Sequence, residues 1–187
     1  MIYQFKIQIK GIKKPPVWRR VAVPSTFTFE RFHDVIQLSF GWLNYHLYRF
    51  EPKPMDRGLV ISIPSEDDWE PVKHARKIKL KDIFNSEGQT YMYIYDYGDN
   101  WEHEIKLEAI LPENALKAVC LAGKGSCPPE DCGGAPIYEE IKRILRETPE
   151  TPTAAHYRDW LELAPDETWE ELWPFNANEV NEELRLL

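Results

Sequence analysis

Cysteine is scarce in this chain, which has three cysteines among 187 residues. An odd number of cysteines cannot be paired completely, and this argues against a framework of disulfide bonds. Since stable disulfides belong to oxidising compartments, we expect a protein of the reducing cytoplasm. A chain of this length can bury roughly 70% of the surface that its unfolded form exposes, so it needs no disulfide or metal ion merely to fold.

Long apolar runs and several enzyme motifs are also absent. No stretch approaches the roughly 20 apolar residues that a membrane-spanning helix needs, so we expect no membrane partner. The alternating residues 1–6 do not have the pattern of a signal peptide. The sequence also lacks the phosphate-binding G-x-x-x-x-G-K-[ST], the dinucleotide-binding G-x-G-x-x-G, the zinc-protease H-E-x-x-H and the hydrolase G-x-S-x-G. Nucleotide-dependent enzymes, zincin proteases and α/β-hydrolases are therefore poorly supported.

The net charge of −8 arises from 23 basic and 31 acidic residues that are unevenly distributed. Residues 1–125 hold 18 basic and 16 acidic residues, whereas residues 126–187 hold 5 and 15. An acidic chain is disfavoured as a nucleic-acid binder, because such binding depends on neutralising phosphates. The first 20 residues nevertheless carry six basic groups and no acid.

Four residues of this basic segment, Lys13, Lys14, Arg19 and Arg20, are candidates for binding an anion or a partner. Two arginines beside an aromatic residue can hold a phosphate or carboxylate. Alternatively, the lysines protect an edge strand from aggregation. For Arg19 or Arg20 we expect pairing with acids of the C-terminal helices.

Alternation of apolar and polar residues predicts two hairpins. Residues 2–10 alternate cleanly and are followed by a turn and an extended segment at 17–23, which predicts an antiparallel pair. Residues 90–96 and 102–110 form the second predicted hairpin, with turn residues between them. Shorter extended segments are expected at 46–51 and 59–63, and an irregular loop at 64–76.

Helices are predicted by apolar stripes and by capping residues. Thr28 is suited to cap a helix over residues 29–40 that ends at Gly41. Further helices are expected after Pro136 and around residues 157–164, 169–173 and 180–184. Because most predicted strands precede most predicted helices along the chain, we expect one α+β domain over residues 1–187. We expect a twisted, mostly antiparallel sheet of two hairpins plus short strands, packed with the amphipathic helix and the C-terminal helices.

A cysteine-rich loop is the first segment that could carry chemistry. Cys120, Cys127 and Cys132 lie within thirteen residues, and the glycines between and after them allow the chain to bend around an ion. Zinc is usually bound by four cysteine or histidine ligands, so the fourth would be His46, His103, Asp131 or a water. Two alternatives to a metal site remain. The cysteines are small buried residues that pack in a loop stiffened by glycine and proline, or Cys127 and Cys132 form a disulfide bond.

The second hairpin is the other segment of interest, through Asp96, Asp99 and His103. Two carboxylates and an imidazole could bind a divalent metal or act as acid and base. A structural role explains these residues equally well. The turn residues would form hydrogen bonds within the turn, and Asp96 would form one with His103 or with the Trp101 N–H. Of the remaining histidines, His33 is expected near the surface, on the polar flank of the helix.

Four motifs follow one another along the chain: Pro-Val-Trp-Arg-Arg at residues 16–20, the run 33–50, Tyr-Asp-Tyr-Gly-Asp at 95–99, and Cys-Pro-Pro-Glu-Asp-Cys-Gly-Gly at 127–134. In this order they resemble the motifs of the plasmid pRiA4b ORF-3-like family, and the resemblance covers nearly the whole chain. The resemblance implies an α+β fold and carries no assigned reaction. It also implies association with insertion elements. This chain departs from the pattern at Tyr48, where relatives often have another histidine, and at Ile137, where they often have glycine.

Three functions follow as expectations. We favour a non-enzymatic binding or accessory protein with a protein partner, in which the cysteine loop is a structural brace, either with or without a bound zinc. The alternative is a metal-dependent hydrolase that uses Asp96, Asp99 and His103. A weaker alternative, implied by the mobile-element setting of relatives, is a DNA-binding accessory protein, against which the net charge of −8 counts.

Overall fold

A computed structural model describes residues 1–65 and 71–187. Within these ranges the chain forms eight strands, which are β1 (Ile2–Ile9), β2 (Trp18–Pro24), β3 (Tyr48–Glu51), β4 (Val60–Ser62), β5 (Val72–His74), β6 (Thr90–Tyr95), β7 (Trp101–Leu111) and β8 (Val119–Lys124). The same ranges contain six helices, which are α1 (Phe29–Phe40), α2 (Leu80–Ile83), α3 (Gly134–Glu147), α4 (Pro152–Trp160), α5 (Trp169–Leu172) and α6 (Ala177–Leu184).

All eight strands belong to one sheet in the order β5-β4-β3-β6-β7-β1-β2-β8. Neighbouring strands are antiparallel except β4 and β5, which are parallel. The two predicted hairpins, β1–β2 and β6–β7, meet in the middle of the sheet, because β1 also pairs with β7. The predicted α+β class and mostly antiparallel sheet are thereby confirmed.

Alternation places one face of β1 in the core. Tyr3, Phe5, Ile7 and Ile9 are each at most 2% exposed, whereas the residues between them are only partly buried. Strand β2 alternates in the same way, and its buried Val21 pairs with Phe5 of β1. A two-residue period therefore decides which face the central strands bury.

Helix α1 covers this buried face. The Thr28 side chain accepts a hydrogen bond from the backbone N–H of Arg31 at the start, and Gly41 ends the helix with a φ of 91°. The apolar stripe packs onto the sheet, with the rings of Phe32 and Phe5 4.9 Å apart. Each fully buried phenylalanine contributes about 1.5–3 kcal/mol of hydrophobic stabilisation.

Strands β5 and β8 were not expected from the sequence. Strand β5 lies in the segment for which we predicted an irregular loop, and residues 66–70 of that segment are outside the described ranges. Strand β8 takes up the start of the predicted cysteine loop, so Cys120 lies in a strand that pairs with Val21 of β2. Helix α3 also begins at Gly134, two residues before Pro136.

The C-terminal helices pack against the β8 edge of the sheet. Asn181 of α6 accepts a hydrogen bond from the Cys120 N–H and donates one to the Cys120 carbonyl, at 2.8 and 2.9 Å. One side chain thus satisfies both backbone groups that the sheet edge leaves free at this residue. No helix in the described part of the chain is long and apolar enough to cross a membrane.

Candidate metal centre

One histidine and three carboxylates meet at the end of the sheet where β3 begins and β6 ends. His46 Nε2 lies 3.0 Å from Asp131 Oδ1, 3.8 Å from Asp96 Oδ2 and 3.9 Å from Glu130 Oε2. One ligand atom each from His46, Asp96 and Asp131 lies within 4.8 Å of the other two. Because metal–ligand bonds to nitrogen and oxygen are about 2.0–2.2 Å long, one ion can bridge atoms at these separations. We call these four residues the His46 cluster.

Asp96 is the most deeply buried member of the cluster, at 6% exposure. It directly follows β6 and has a φ of 56°, a left-handed conformation that aspartate tolerates better than most residues. Its Oδ1 accepts a hydrogen bond from Gly98 N–H, and its own N–H donates to the Leu47 carbonyl. These bonds fix Asp96 against the segment that carries His46 and leave Oδ2 directed at the imidazole.

Glu130 holds two other segments to the cluster. Its Oε1 accepts hydrogen bonds from Leu43 N–H at 2.8 Å and from the Tyr95 hydroxyl at 3.0 Å. Its Oε2 is buried and has no hydrogen-bond partner among the described residues. Burial raises the pKa of Glu130, because the charged form loses contact with water.

The hairpin turn and the segment at residues 128–134 are locked together beside the cluster. Asp99 Oδ2 accepts a hydrogen bond from Gly133 N–H at 2.9 Å. A Cβ atom on Gly134 would lie 2.3 Å from the Asp99 carbonyl oxygen, so only glycine permits this close approach. The two segments that the sequence singled out therefore converge in space, and His46 joins them from a third.

His103 lies away from the cluster, in the core of the sheet. It is fully buried, and its Nδ1–H donates to the Trp101 carbonyl at 2.9 Å. Its ring contacts Phe40 and Tyr93, with centroids 5.1 Å away in each case. Burial lowers the pKa of His103 to about 4. The expected pairing of Asp96 with His103 or with the Trp101 N–H is wrong, since Asp96 bonds to the turn instead.

The three cysteines are not gathered into one group with mutually close ligand atoms, as judged over residues 1–65 and 71–187. All three are free thiols. Cys120 is in β8, and the Cys127 carbonyl accepts a hydrogen bond from the Trp169 indole at 2.6 Å. Burial raises the pKa of all three thiols, that of Cys132 to about 12. Packed, protonated thiols are typical of structural cysteines.

The four basic candidates do not form one surface. Lys13 and Lys14 are exposed on the connection between β1 and β2. Arg20 makes a two-pronged contact with Glu108 of β7, at 2.6 and 3.0 Å. Arg19 is 2% exposed and lies 4.1 Å from the ring centre of Phe175. Arg19 therefore meets the C-terminal region, as expected, but through the Phe175 ring, and neither arginine forms an ion pair with an acid of the C-terminal helices in the described ranges.

His33 is also placed differently from the prediction. It is 2% exposed rather than superficial, and its ring stacks on Tyr48 with centroids 3.6 Å apart. Its Nδ1 and Nε2 are each 2.8 Å from a partner, the Tyr93 hydroxyl and Asn44 Oδ1. Burial lowers the pKa of His33 to about 4. Asn44 lies two residues before His46, so His33 supports the cluster from the core.

Comparison with known proteins agrees with the motifs described above. The sequence profile described as plasmid pRiA4b ORF-3-like protein matches residues 1–183. The chain belongs to this family. The uncharacterized protein y4hQ of Sinorhizobium fredii (strain NBRC 101917 / NGR234) is 36% identical over 146 residues, which are 77% of this chain and 73% of that protein.

A solved structure supports both the family and the fold. The crystal structure of MM3350 from Methanosarcina mazei Go1, a protein of unknown function, matches with a TM-score of 0.79 and 34% identity. The match covers 95% of this chain and 96% of that chain. Neither relative in this family carries a named reaction, so the function has to be argued from the His46 cluster itself.

Proposed function

We propose that this family member is a metal-dependent hydrolase that holds one divalent ion through His46, Asp96 and Asp131. The observation that carries the proposal is the mutual proximity of their ligand atoms, all within 4.8 Å of one another. One imidazole and two carboxylates form a mixed nitrogen and oxygen set, which suits zinc, manganese or iron. This set differs from the thiol set that the sequence favoured, although His46 is common to both.

The electrostatics of the cluster support a cation. Three carboxylates lie within 4 Å of one imidazole nitrogen, and like charges this close disfavour one another. Glu130 Oε2 is buried without a hydrogen-bond partner in the described part of the chain, and His46 Nε2 lies 3.0 Å from Asp131 Oδ1 without forming a well-aligned hydrogen bond. Unsatisfied buried polar atoms are rare in proteins and call for an explanation. A divalent ion would offset two of the three carboxylate charges and bind Nε2 directly.

Hydrolysis is the reaction that the remaining features support. Three protein ligands leave coordination positions for water, as in catalytic rather than structural metal sites. The cluster is open on one side, where the Asp131 side chain is 68% exposed. A bound ion would lower the pKa of its water, and Glu130, whose pKa is raised by burial, is placed to accept a proton from it.

A non-enzymatic binding protein is the second candidate, and exposed apolar side chains favour it. Leu43, Tyr45 and Leu47 flank His46 and are 58%, 70% and 61% exposed. Apolar residues concentrated beside a site are typical of surfaces that contact another molecule. The DNA-binding alternative has less support, since Arg19 is buried and Arg20 is occupied by Glu108.

Metal titration tests the binding part of the proposal. Chelator-treated protein should bind about one equivalent of Zn²⁺ or Mn²⁺ by calorimetry, and Asp96→Asn should abolish this binding. Asp99→Asn is the matched control, because Asp99 lies in the same turn but outside the cluster. A thiol site would instead lose its metal in Cys127→Ser. Loss there, with unchanged binding in Asp96→Asn, would contradict the proposal.

Turnover tests the hydrolytic part. Metal-loaded protein should cleave at least one class among chromogenic carboxylic esters, phosphomonoesters and phosphodiesters. Glu130→Gln should retain the metal and lose most of this turnover, because it removes the base but none of the three ligands. A protein that binds the metal stoichiometrically and cleaves none of these classes would support the binding-protein candidate instead.

A further inference from the structure

A cavity of about 350 Å³ lies next to the His46 cluster and shares Glu130 with it. It runs between the end of α1, residues 127–130 and the segment from α5 to α6. Aromatic side chains dominate its walls, and a buried arginine is among them. The residues that line it include Arg19, Phe40, Trp42, Trp169, Trp173 and Phe175. The volume is at the lower end of the range for small-molecule pockets, which suits a compact ligand.

Arg19 is the charged group of this cavity. Its Nε donates to the Ser39 carbonyl, and its Nη1 is within reach of three further carbonyls, those of Trp18, Lys124 and Gly125. In the described ranges these four bonds use Nε and Nη1 and none uses Nη2, and no carboxylate forms an ion pair with the guanidinium. A buried charge without a counter-ion is costly, so an anion in the cavity would stabilise this arrangement.

The guanidinium is also held rigidly. It lies 4.9 Å from the ring centre of Phe40 and 4.1 Å from that of Phe175. A Cβ atom on Gly123 would come within 2.8 Å of the Arg19 side chain and 2.7 Å of the Phe175 ring, so the chain keeps glycine where this stack needs room. Because Nε and Nη1 are used by backbone carbonyls, Nη2 is the donor left for a ligand, and a donor held in place in this way binds a carboxylate with little loss of conformational entropy.

A second residue of the cavity wall carries a buried donor without a partner. Trp42 is 4% exposed, and its Nε1–H has no acceptor among residues 1–65 and 71–187. Buried indole N–H groups usually find a partner. The aromatic walls supply the complementary apolar surface. Glu130 and Glu179 also line the cavity, and their charges oppose an anion beside them, which leaves Arg19 as the place for a carboxylate.

We propose that this cavity binds a small carboxylic acid with an apolar body, whose carboxylate accepts hydrogen bonds from Arg19. The inference rests on the proposed function, because the cavity would hold the molecule on which the metal centre acts. Glu130 connects the two sites. The substrate class is therefore a compact ester or amide that also carries a free carboxylate.

Binding of a carboxylate and its amide tests the inference without the metal. We would titrate chelator-treated protein with 3-phenylpropionate and with 3-phenylpropanamide, and follow both calorimetry and tryptophan fluorescence. The carboxylate should bind about tenfold more tightly or better, as expected for a charge-assisted hydrogen bond. Arg19→Met should remove this preference and leave the amide affinity unchanged. Arg20→Met is the matched control, because Arg20 is the neighbouring arginine but does not line the cavity.

Each outcome decides the matter. Equal affinities for carboxylate and amide, no saturable binding of either, or equal behaviour of folded Arg19→Met and Arg20→Met would overturn the inference. If Arg19→Met does not fold, the side-chain N–H resonances of Arg19 and Trp42 in the wild-type protein replace it. Both should shift with the carboxylate, and an unchanged Arg19 signal would overturn the inference. Failure of metal binding with intact carboxylate binding would overturn the proposed hydrolase and leave the cavity site standing.

Discussion

Acidification should destabilise this protein through two buried histidines. His33 and His103 are 2% and 0% exposed, and burial lowers the pKa of each to about 4 in the folded chain. In the unfolded chain both should titrate near the ordinary value of about 6.5. Between these values the unfolded state binds protons that the folded state does not bind. Stability therefore falls as the pH falls from about 6.5 towards 4.

The expected size of this effect follows from the two pKa differences. A difference of about 2.5 pKa units corresponds to about 3 kcal/mol for each histidine when the full window is crossed. Between neutral pH and a pH of about 4.5 the two together should remove about 5 kcal/mol, a large share of a typical domain stability. Glu130 and Asp34 act in the opposite direction, because burial raises the pKa of their carboxyl groups.

Urea unfolding followed by tryptophan fluorescence measures this dependence. The free energy of unfolding should decline smoothly from pH 7 to 4.5 in the wild-type protein. His33→Gln should flatten the decline by about half, since one of the two titrating groups is gone. His156→Gln is the control, because His156 is exposed and should not affect the slope. A wild-type stability that is constant over this range, or a His33→Gln slope equal to that of the wild type, would refute the reasoning.

Three further predictions concern Gly134, Asn181 and the three cysteines. Gly134→Ala should cost about 3 kcal/mol, because its Cβ would meet the Asp99 carbonyl at a φ of +81°, whereas Gly88→Ala at a similar φ has open space and should cost less. Equal melting temperatures of the two variants would contradict this. Asn181→Ala should cost about 2 kcal/mol through the two lost bonds to Cys120, and an unchanged urea midpoint would contradict that loss. All three thiols should resist alkylation at a pH of about 8 in the folded protein and react in denaturant, and rapid labelling of native protein would refute the raised thiol pKa values.

The parts of the fold that the sequence predicted are those whose signals are local. The two-residue period of β1 and the cap at Thr28 depend on neighbouring residues only, and both appear in the structure as predicted. Strands β5 and β8 were missed because their pairing depends on distant partners. Strand β8 is rich in small residues and is held by β2 on one side and by Asn181 on the other.

The site was predicted in pieces rather than as a whole. His46 and Asp131 were considered as zinc ligands and Asp96 as a catalytic group, but nothing in the sequence says that these three meet. Their meeting depends on turns with left-handed residues and on the close approach at Gly134. Glu130 was not singled out, although it stands next to Asp131. Any metal role of the three cysteines stays a prediction.

For His103 the sequence contained two indications that disagree, the two-residue period of its strand and the residue type. His103 alternates with Ile105 and Leu107 on one face of β7, and all three are fully buried. The period therefore indicated a core position, whereas the residue type suggested a catalytic one. When a histidine shares a face with aliphatic residues of a central strand, periodicity is the better guide to its place.

The segment that carries His46 has no regular secondary structure, yet side chains from the core satisfy its backbone. The N–H groups of Leu43, Asn44 and Tyr45 donate to Glu130, Gln37 and Tyr95 respectively, at 2.8, 3.0 and 3.0 Å. Gln37 also donates to the Tyr93 hydroxyl, which contacts His33. Helix α1 and strand β6 thus set the position of this segment through side chains. A side chain placed in this way is positioned by the core beneath it, and such preorganisation is what the proposed metal site needs to bind an ion without first ordering a loop.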